Sequence, residues 1–294
     1  MPKLVTIVGA TGNQGRAPER PRAGEQRRRG GRSLSRTTSP QLKAAFAGSY
    51  AVYGVTGIKE NLANNDLATF VEVEATWGIN IAEAAAETAG LQHFIWSTLP
   101  NASRISGGRH FLPNFAGKNR ADEYIRANAE LAAKTTFLFI AQYHSNYARP
   151  PVSMHKIPSA NAYVHFASHP PDTPISWIGD VTRNLPAFIK PILEQPDKTR
   201  GSTVFAHTEV HTSEESLQIW ANSKGVRAFH VPVSAELLHE MWGKSADVLA
   251  VMWRFWGEYR EKSWTDPGHV VLTRDDLGVT GFTNLAETFK DYQF

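Results

Sequence analysis

The sequence predicts an α/β protein with a parallel sheet and a smaller α/β part at its C-terminal end. Three observations carry this expectation. Apolar β-rich runs alternate with amphipathic helical stretches, the pattern that a parallel sheet produces. The first run, Leu4-Val-Thr-Ile-Val8, passes at once into Gly9-Ala-Thr-Gly12-Asn-Gln-Gly15. Beyond Gln142 the periodicity weakens, and proline, histidine and aromatic residues collect between 142 and 174.

The first run reads as a buried strand, because it is short, apolar and β-branched. The glycines after it are spaced G-x-x-G-x-x-G. A Rossmann-type turn from strand to helix uses such glycines for the tight turn, for close approach of backbone to a pyrophosphate, and for helix–strand packing. The opening N–H groups of the next helix then hold the phosphates. A glycine turn after any strand is the plainer reading; its place directly after the first strand favours the nucleotide. On this reading residues 1–150 form an NAD(P)-binding Rossmann domain. Residues 151–294 form a smaller part, partly interleaved with it.

The totals bound the function. The chain has 294 residues, a net charge of +3 and no cysteine. It is long enough to bury a full core. The lack of cysteine excludes disulfides, thiolate catalysis and thiol redox sensing. No apolar run is long enough to cross a bilayer, and the first residues lack a signal-peptide layout. A cytoplasmic or nuclear protein without a membrane partner is expected. The basic balance is local: Arg16, Arg20, Arg22, Arg27, Arg28, Arg29, Arg32 and Arg36 share one stretch with only Glu19 and Glu25. The rest of the chain is mildly acidic, which argues against a direct nucleic-acid face.

In that stretch the first helix should pack on the sheet. Residues 16–33 hold no apolar stripe, and Pro18 and Pro21 would each cost about 3 kcal/mol inside a helix. An irregular segment is expected. Arg32-Ser-Leu-Ser-Arg36 then reads as a second strand ending in arginine. An acid at this place binds ribose hydroxyls, whereas arginine accepts a 2′-phosphate. Arg36 therefore favours NADP, with NAD the alternative; the competing reading makes it one more arginine of the run.

A short helix over 41–48 and a strand over 49–56 follow. The stretch 66–89 is a long helix with Val73, Trp77, Ile81 and Ala85 on its inward face, stopped by Gly90. His93–Ser97 is a buried strand; its end, Ser97-Thr-Leu-Pro-Asn101, lies at the carboxyl side, where open α/β sheets bind ligands. A helix from about 116 to 132 carries Lys118, and 135–141 is another strand. Residues 173–180 form a strand leading to an Asp-capped helix through Leu193. Residues 203–206 are a strand. Thr212-Ser-Glu-Glu215 is a capping box opening a helix to Lys224. Ser234 caps another helix, and a short amphipathic helix closes the chain.

Other constellations are weak. Trp242, Trp253, Trp256 and Trp264 crowd one region; they are local core or, less often, the wall of an apolar pocket. His207, Glu209 and His211 alternate in a strand, but no third partner or second shell accompanies them, so no metal site is expected.

These residues resemble the NmrA-like family, an atypical branch of the short-chain dehydrogenase/reductase superfamily, and in texture its fungal members. The stretches that carry the resemblance are 5–15, 42–56, 93–101, Lys118 with 123–126, and 173–181. It implies a Rossmann sheet of strand order near 3-2-1-4-5-6 and NAD(P) binding. It also implies, as for several members, a role as a cofactor-sensing regulator of transcription factors rather than as an enzyme. By the resemblance the phosphate contacts fall on Gly9, Thr11, Gly12, Asn13, Gln14 and Gly15, and the 2′-phosphate arginine on Arg36. Strand-end contacts fall on Thr56 and Ser97, and the lysine near the nicotinamide ribose on Lys118. Tyr143 and Asn146 close the nicotinamide side.

Three departures matter. A dehydrogenase of the superfamily uses Tyr-x-x-x-Lys, in which lysine lowers the tyrosine pKa for proton transfer. Four residues before Lys118 stands Asn114, which cannot transfer a proton, and Tyr124 lies after the lysine. The first helix is replaced by the Arg/Pro/Gly run. The family's second helix and third strand are absent, because Pro40 meets Gln41 directly. Residues 16–40 are expected to reflect a frameshift or mis-spliced exon, which transcript sequencing tests. The expected function is an NADP(H)-binding regulator or redox sensor with a transcription factor or other regulatory protein as partner. The alternative is an NADPH-dependent reductase of a small carbonyl or quinone, with Lys118 or a water as proton donor.

Overall fold

The structure, a computed structural model, describes residues 3–9, 12–16, 27–28, 39–57 and 66–292. Its strands in chain order are β1 Val5–Ile7, β2 Arg27–Arg28, β3 Ala51–Gly54, β4 His93–Thr98, β5 Thr135–Ile140, β6 Gln142–Tyr143 and β7 His155–Ile157. They continue with β8 Ala162–Ala167, β9 Pro174–Gly179, β10 Thr203–Ala206, β11 Glu209–Thr212, β12 Arg227–Pro232 and β13 Val271–Leu272. Seven of them make one sheet in the order β13-β10-β5-β4-β3-β1-β2, and every pairing in it is parallel. This is the expected Rossmann-like α/β sheet. Residues of β4 and β5 are buried throughout, as strands covered by helices on both faces must be.

The strand order reverses at β1, which has β2 on one side and β3 on the other. Sheets of this kind bind ligands at the carboxyl ends of the strands beside such a switch point, here β1 and β3. Among the described residues nothing pairs with the outer side of β2. The second strand is found at Arg27–Arg28, inside the run whose composition predicts an irregular segment, and earlier than Arg32–Arg36, which lies outside the described residues. A two-residue strand needs no apolar pattern of its own; pairing of Val5 and Thr6 with Arg27 and Arg28 suffices.

The helix over Leu67–Ala86 begins at Asp66, whose carboxylate accepts the Thr69 N–H at 2.9 Å. Its buried face differs from the expected one: Phe70, Val71, Glu74, Ala75, Gly78, Ile81 and Ala82 are inward, whereas Val73 and Trp77 are half-buried. The reason is its neighbour, the helix Pro113–Ala127. A side chain at Gly78 would put a Cβ 2.7 Å from Ala121 Cβ, and one at Gly117 would put it 2.7 Å from Glu74 Cβ. The two helices therefore touch through small residues, and the contact line runs where the glycines are. The second of these helices starts at Pro113, in the first turn, where a missing N–H costs nothing. It ends before Asn128, which caps a separate turn at Ala129–Ala132.

Residues 142–174 hold more regular structure than their texture predicts. β7 pairs antiparallel with β8, β8 runs parallel to β12, and β9 lies between β6 and β11. These are short strands whose faces meet histidines and prolines, so period-two alternation of apolar residues is lost. Trp253, Trp256 and Trp264 are buried in the core, and Trp264 stacks on Phe205 at 4.4 Å. They belong to the main apolar cluster. No described helix is long and apolar enough to cross a membrane.

Candidate functional site

The turn after β1 is built as its glycines require. Gly9 has φ +71°, and a Cβ there would also lie 3.2 Å from Val55 Cγ1. Its carbonyl accepts the Gly12 N–H at 2.8 Å. The chain then enters a single helical turn, Asn13–Arg16, which contains Gly15.

From that turn Gln14 reaches across the carboxyl ends of the strands. Its Oε1 accepts the hydroxyls of Tyr53 at 2.8 Å and Ser97 at 2.7 Å, and its Nε2 donates to the Tyr143 hydroxyl. One amide thus ties together the ends of β3, β4 and β6. Burial pushes the Tyr143 phenol up to about 12, although the bond from Gln14 works the other way. Burial, with Tyr143 nearby, pushes Tyr53 further up still. Both phenols stay protonated near neutrality and act as hydrogen-bonding groups.

A second network holds Lys118. Its Nζ donates to Thr56 Oγ1 at 2.6 Å and lies 3.3 Å from Glu74 Oε1. The Thr56 hydroxyl in turn donates to Glu74 Oε1 at 2.7 Å. Lys118 is 5% exposed and Glu74 1%, so this is a buried ion pair with a hydroxyl between the charges. Strand alternation places the two networks on opposite faces of the sheet. Tyr53 and Val55 pack in the cluster with Ile7 and Ile140. Val52 and Trp96 pack in the other cluster with Ala121, and the Lys118 ammonium sits 5.8 Å from the Trp96 ring. On this second face Asp122 accepts from Trp96 Nε1 at 2.6 Å and Thr98 Oγ1 at 2.8 Å. Burial pushes its carboxyl up to about 7.

Of the residues singled out in the sequence, Gln14, Ser97 and Tyr143 come together in the first network, and Thr56 and Lys118 in the second. Gly9, Gly12, Asn13 and Gly15 form the turn. Asn146 follows Tyr143 in the 3-10 helix His144–Ala148 and is half-buried. Thr11 and Arg36 lie outside the described residues. Asn114, in the place of the superfamily's tyrosine, turns its Nδ2 to Met252 Sδ at 3.6 Å. Sequence reasoning missed Tyr53 and Glu74. The signal for Glu74 was present: it falls four residues before Gly78 on the stripe of small residues.

Glu209 Oε2 accepts the Leu285 N–H at 2.5 Å and so serves the last helix, while His207 stacks on Phe205 at 4.3 Å. Among the described residues no three histidine, aspartate or glutamate side chains are placed to hold a metal ion. A hollow of about 610 Å³ lies between the starts of the Leu67–Ala86 and Pro113–Ala127 helices, beside Val71, Phe111 and Leu112. None of the candidate residues lines it.

The whole fold is similar to solved structures of NmrA, described as a negative transcriptional regulator, in complexes with NAD and with NADP. Each has a TM-score of 0.72 and 17% identity, covering 99% of this chain and 95% of the other. In sequence the chain is similar to the NmrA-like family domain-containing oxidoreductase hkm9 of Aspergillus hancockii. The two are 24% identical over 263 residues, which cover 79% of this chain and 76% of that protein. It is also similar to the nitrogen metabolite repression protein nmrA of Emericella nidulans, 27% identical over 134 residues, which cover 45% of this chain and 37% of that one. Residues 33–284 match the NmrA-like family, and the chain belongs to that family.

Proposed function

We propose that the protein is a dinucleotide-binding regulator or redox sensor that takes NADP(H), with NAD the alternative, and acts through a protein partner with little or no catalysis. The glycine turn, with left-handed backbone at Gly9 and its carbonyl closed on the Gly12 N–H, is where a pyrophosphate would lie. Gln14 would serve the phosphates with the rest of the glycine turn, and Thr56 and Ser97 would make the strand-end contacts. Lys118 would reach the nicotinamide ribose, Tyr143 and Asn146 would close the nicotinamide side, and Arg36 would take the 2′-phosphate. When bound, the nicotinamide supplies or accepts a hydride. The observation that carries the reading is the lack of a phenol tuned for proton transfer among the described groups beside Lys118; the Asp122 carboxyl, raised to about 7, is buried and engaged by Trp96 and Thr98. The phenols of Tyr53 and Tyr143 are raised rather than lowered, and Asn114 stands where a tyrosine would act. A general acid works best with a pKa near the operating pH.

The regulatory role of the two nitrogen-repression relatives supports this reading, with a transcription factor or other regulatory protein as the partner. The oxidoreductase named among the relatives favours the alternative, an NADPH-dependent reductase of a small carbonyl or quinone. Calorimetric titration with NADPH and NADP⁺, followed by a carbonyl and quinone panel, separates the two. Binding without turnover is expected. Turnover that disappears in Lys118→Ala would establish the reductase, and no binding of either dinucleotide would end both readings.

A further inference from the structure

Glu74 is an acid in the wrong place for a solvent-facing helix residue. It sits on the buried face of Leu67–Ala86, is 1% exposed, and fits only because residue 117 has no side chain: a Cβ there would lie 2.7 Å from Glu74 Cβ and 3.0 Å from its Cγ. Its Oε2 is buried without a hydrogen-bond partner. Only Oε1 is engaged, by Thr56 and Lys118. The carboxylate is thus held by packing and aimed at one cation.

The lysine is correspondingly used up. An ammonium has three N–H donors and no acceptor. Lys118 Nζ meets Thr56 Oγ1 at 2.6 Å, Thr56 O at 3.4 Å and Glu74 Oε1 at 3.3 Å. A ribose hydroxyl can take a bond from Lys118 only by displacing one of these.

We propose that Glu74 is an internal ligand of Lys118, competing with the dinucleotide for its ammonium and so setting how tightly the site holds it. This rests on the dinucleotide reading above. Whatever stabilises the ligand-free arrangement weakens binding by the same factor. Glu74 therefore lowers affinity, which suits a sensor that must release its ligand as concentrations change. Its helix is also the element that would register occupancy, because loss of the Lys118 contact leaves the carboxylate without a countercharge.

The test is NADPH titration by calorimetry of wild type, Glu74→Gln, Lys118→Met and the double variant, with melting temperatures recorded alongside. Glu74→Gln keeps the volume and removes the competing charge. It should bind NADPH about tenfold tighter, within the usual span of coupling between sites. In the Lys118→Met background the same change should have no effect, an outcome that a general packing role would not produce. If Glu74→Gln folds poorly, Glu74→Met fills the space without polar atoms and should show the same tightening. Wild-type binding that Glu74→Gln or Glu74→Met leaves equal or weaker would overturn the proposal and spare the dinucleotide reading. No binding by any of the chains would overturn both.

Discussion

Ser97 donates its hydroxyl to Gln14 Oε1 at 2.7 Å, joining the carboxyl end of β4 to the helical turn behind the glycines. The same oxygen takes the Tyr53 hydroxyl at 2.8 Å. Both acceptor sites of the amide are filled, so Gln14 is the common partner of three side chains. Replacing it by leucine leaves the hydroxyls of Tyr53, Ser97 and Tyr143 without their shared partner. Each unsatisfied buried group costs about 1–3 kcal/mol. Gln14→Leu should lower the urea midpoint clearly, while Asn13→Ala at the exposed neighbouring position should leave it nearly unchanged. Equal midpoints for the two variants would show that the network contributes nothing.

The close approach of the two helices makes a second prediction. Gly117→Ala would place a Cβ 2.7 Å from Glu74 Cβ and 3.0 Å from the Val71 carbonyl oxygen, and backbone cannot step aside cheaply. Overpacking of this kind costs about 1–3 kcal/mol. Gly57 has nothing within 4 Å of such a Cβ, so Gly57→Ala serves as the control and should melt with the wild type. Thermal unfolding of the pair decides it.

These two sites show how far the sequence could be read. The strand, the glycine turn and the lysine helix were legible because each is a local pattern: a β-branched run, a spacing, a periodicity. The strand end at Ser97 was legible as a ligand-binding edge, whereas the roles of Gln14, Thr56, Lys118 and Tyr143 were reached only through the family resemblance. Their division between two faces of the sheet was not legible, because it depends on the parity of β3 and β4 at their ends. Tyr53 and Glu74 were missed for a related reason. A tyrosine in a β-rich run and a glutamate on a helix look ordinary until a partner 39 residues away, in Gln14, or a facing glycine gives them a role. The apolar periodicity of the long helix misled by about one residue, because its neighbour presents Gly117 and Ala121 rather than bulk.

Acid should destabilise the fold through its histidines. Burial holds His165 down to about 3 and His93 to about 4, and pushes His169 well below the ordinary value. His165, His169 and His230 face one another with ring centroids 5.5 to 6.2 Å apart; His155 adds to the repulsion on His165, while Glu214 favours the charged form of His230. Below their ordinary pKa of 6.5 the unfolded chain takes up protons that the folded chain refuses. The stability these groups confer is therefore full above that value and is lost as pH falls toward the folded pKa values. Each such group contributes a slope of up to about 1.4 kcal/mol per pH unit. Asp122 opposes them: its carboxyl is raised from 3.8 to about 7, so the folded state holds a proton that the unfolded state releases. The histidines outnumber it. Urea midpoints should fall from pH 6.5 to pH 4.5, more steeply in Asp122→Asn and less steeply in His165→Phe. A flat profile in the wild type would remove the argument.

Restoring the superfamily's spacing should not restore its chemistry. Asn114→Tyr places a phenol four residues before Lys118, but the side chain at this position leaves the helix toward Met252. The lysine that would lower its pKa is bonded to Thr56 at 2.6 Å and paired with Glu74. A phenol buried there without a cation beside it is raised by desolvation, as Tyr143 is at about 12. Asn114→Tyr should therefore reduce no carbonyl or quinone above background with NADPH present. Turnover that appears in Asn114→Tyr and vanishes in Asn114→Tyr/Lys118→Ala would show that the lysine is free to serve a tyrosine. It would also turn the functional reading from sensor to reductase.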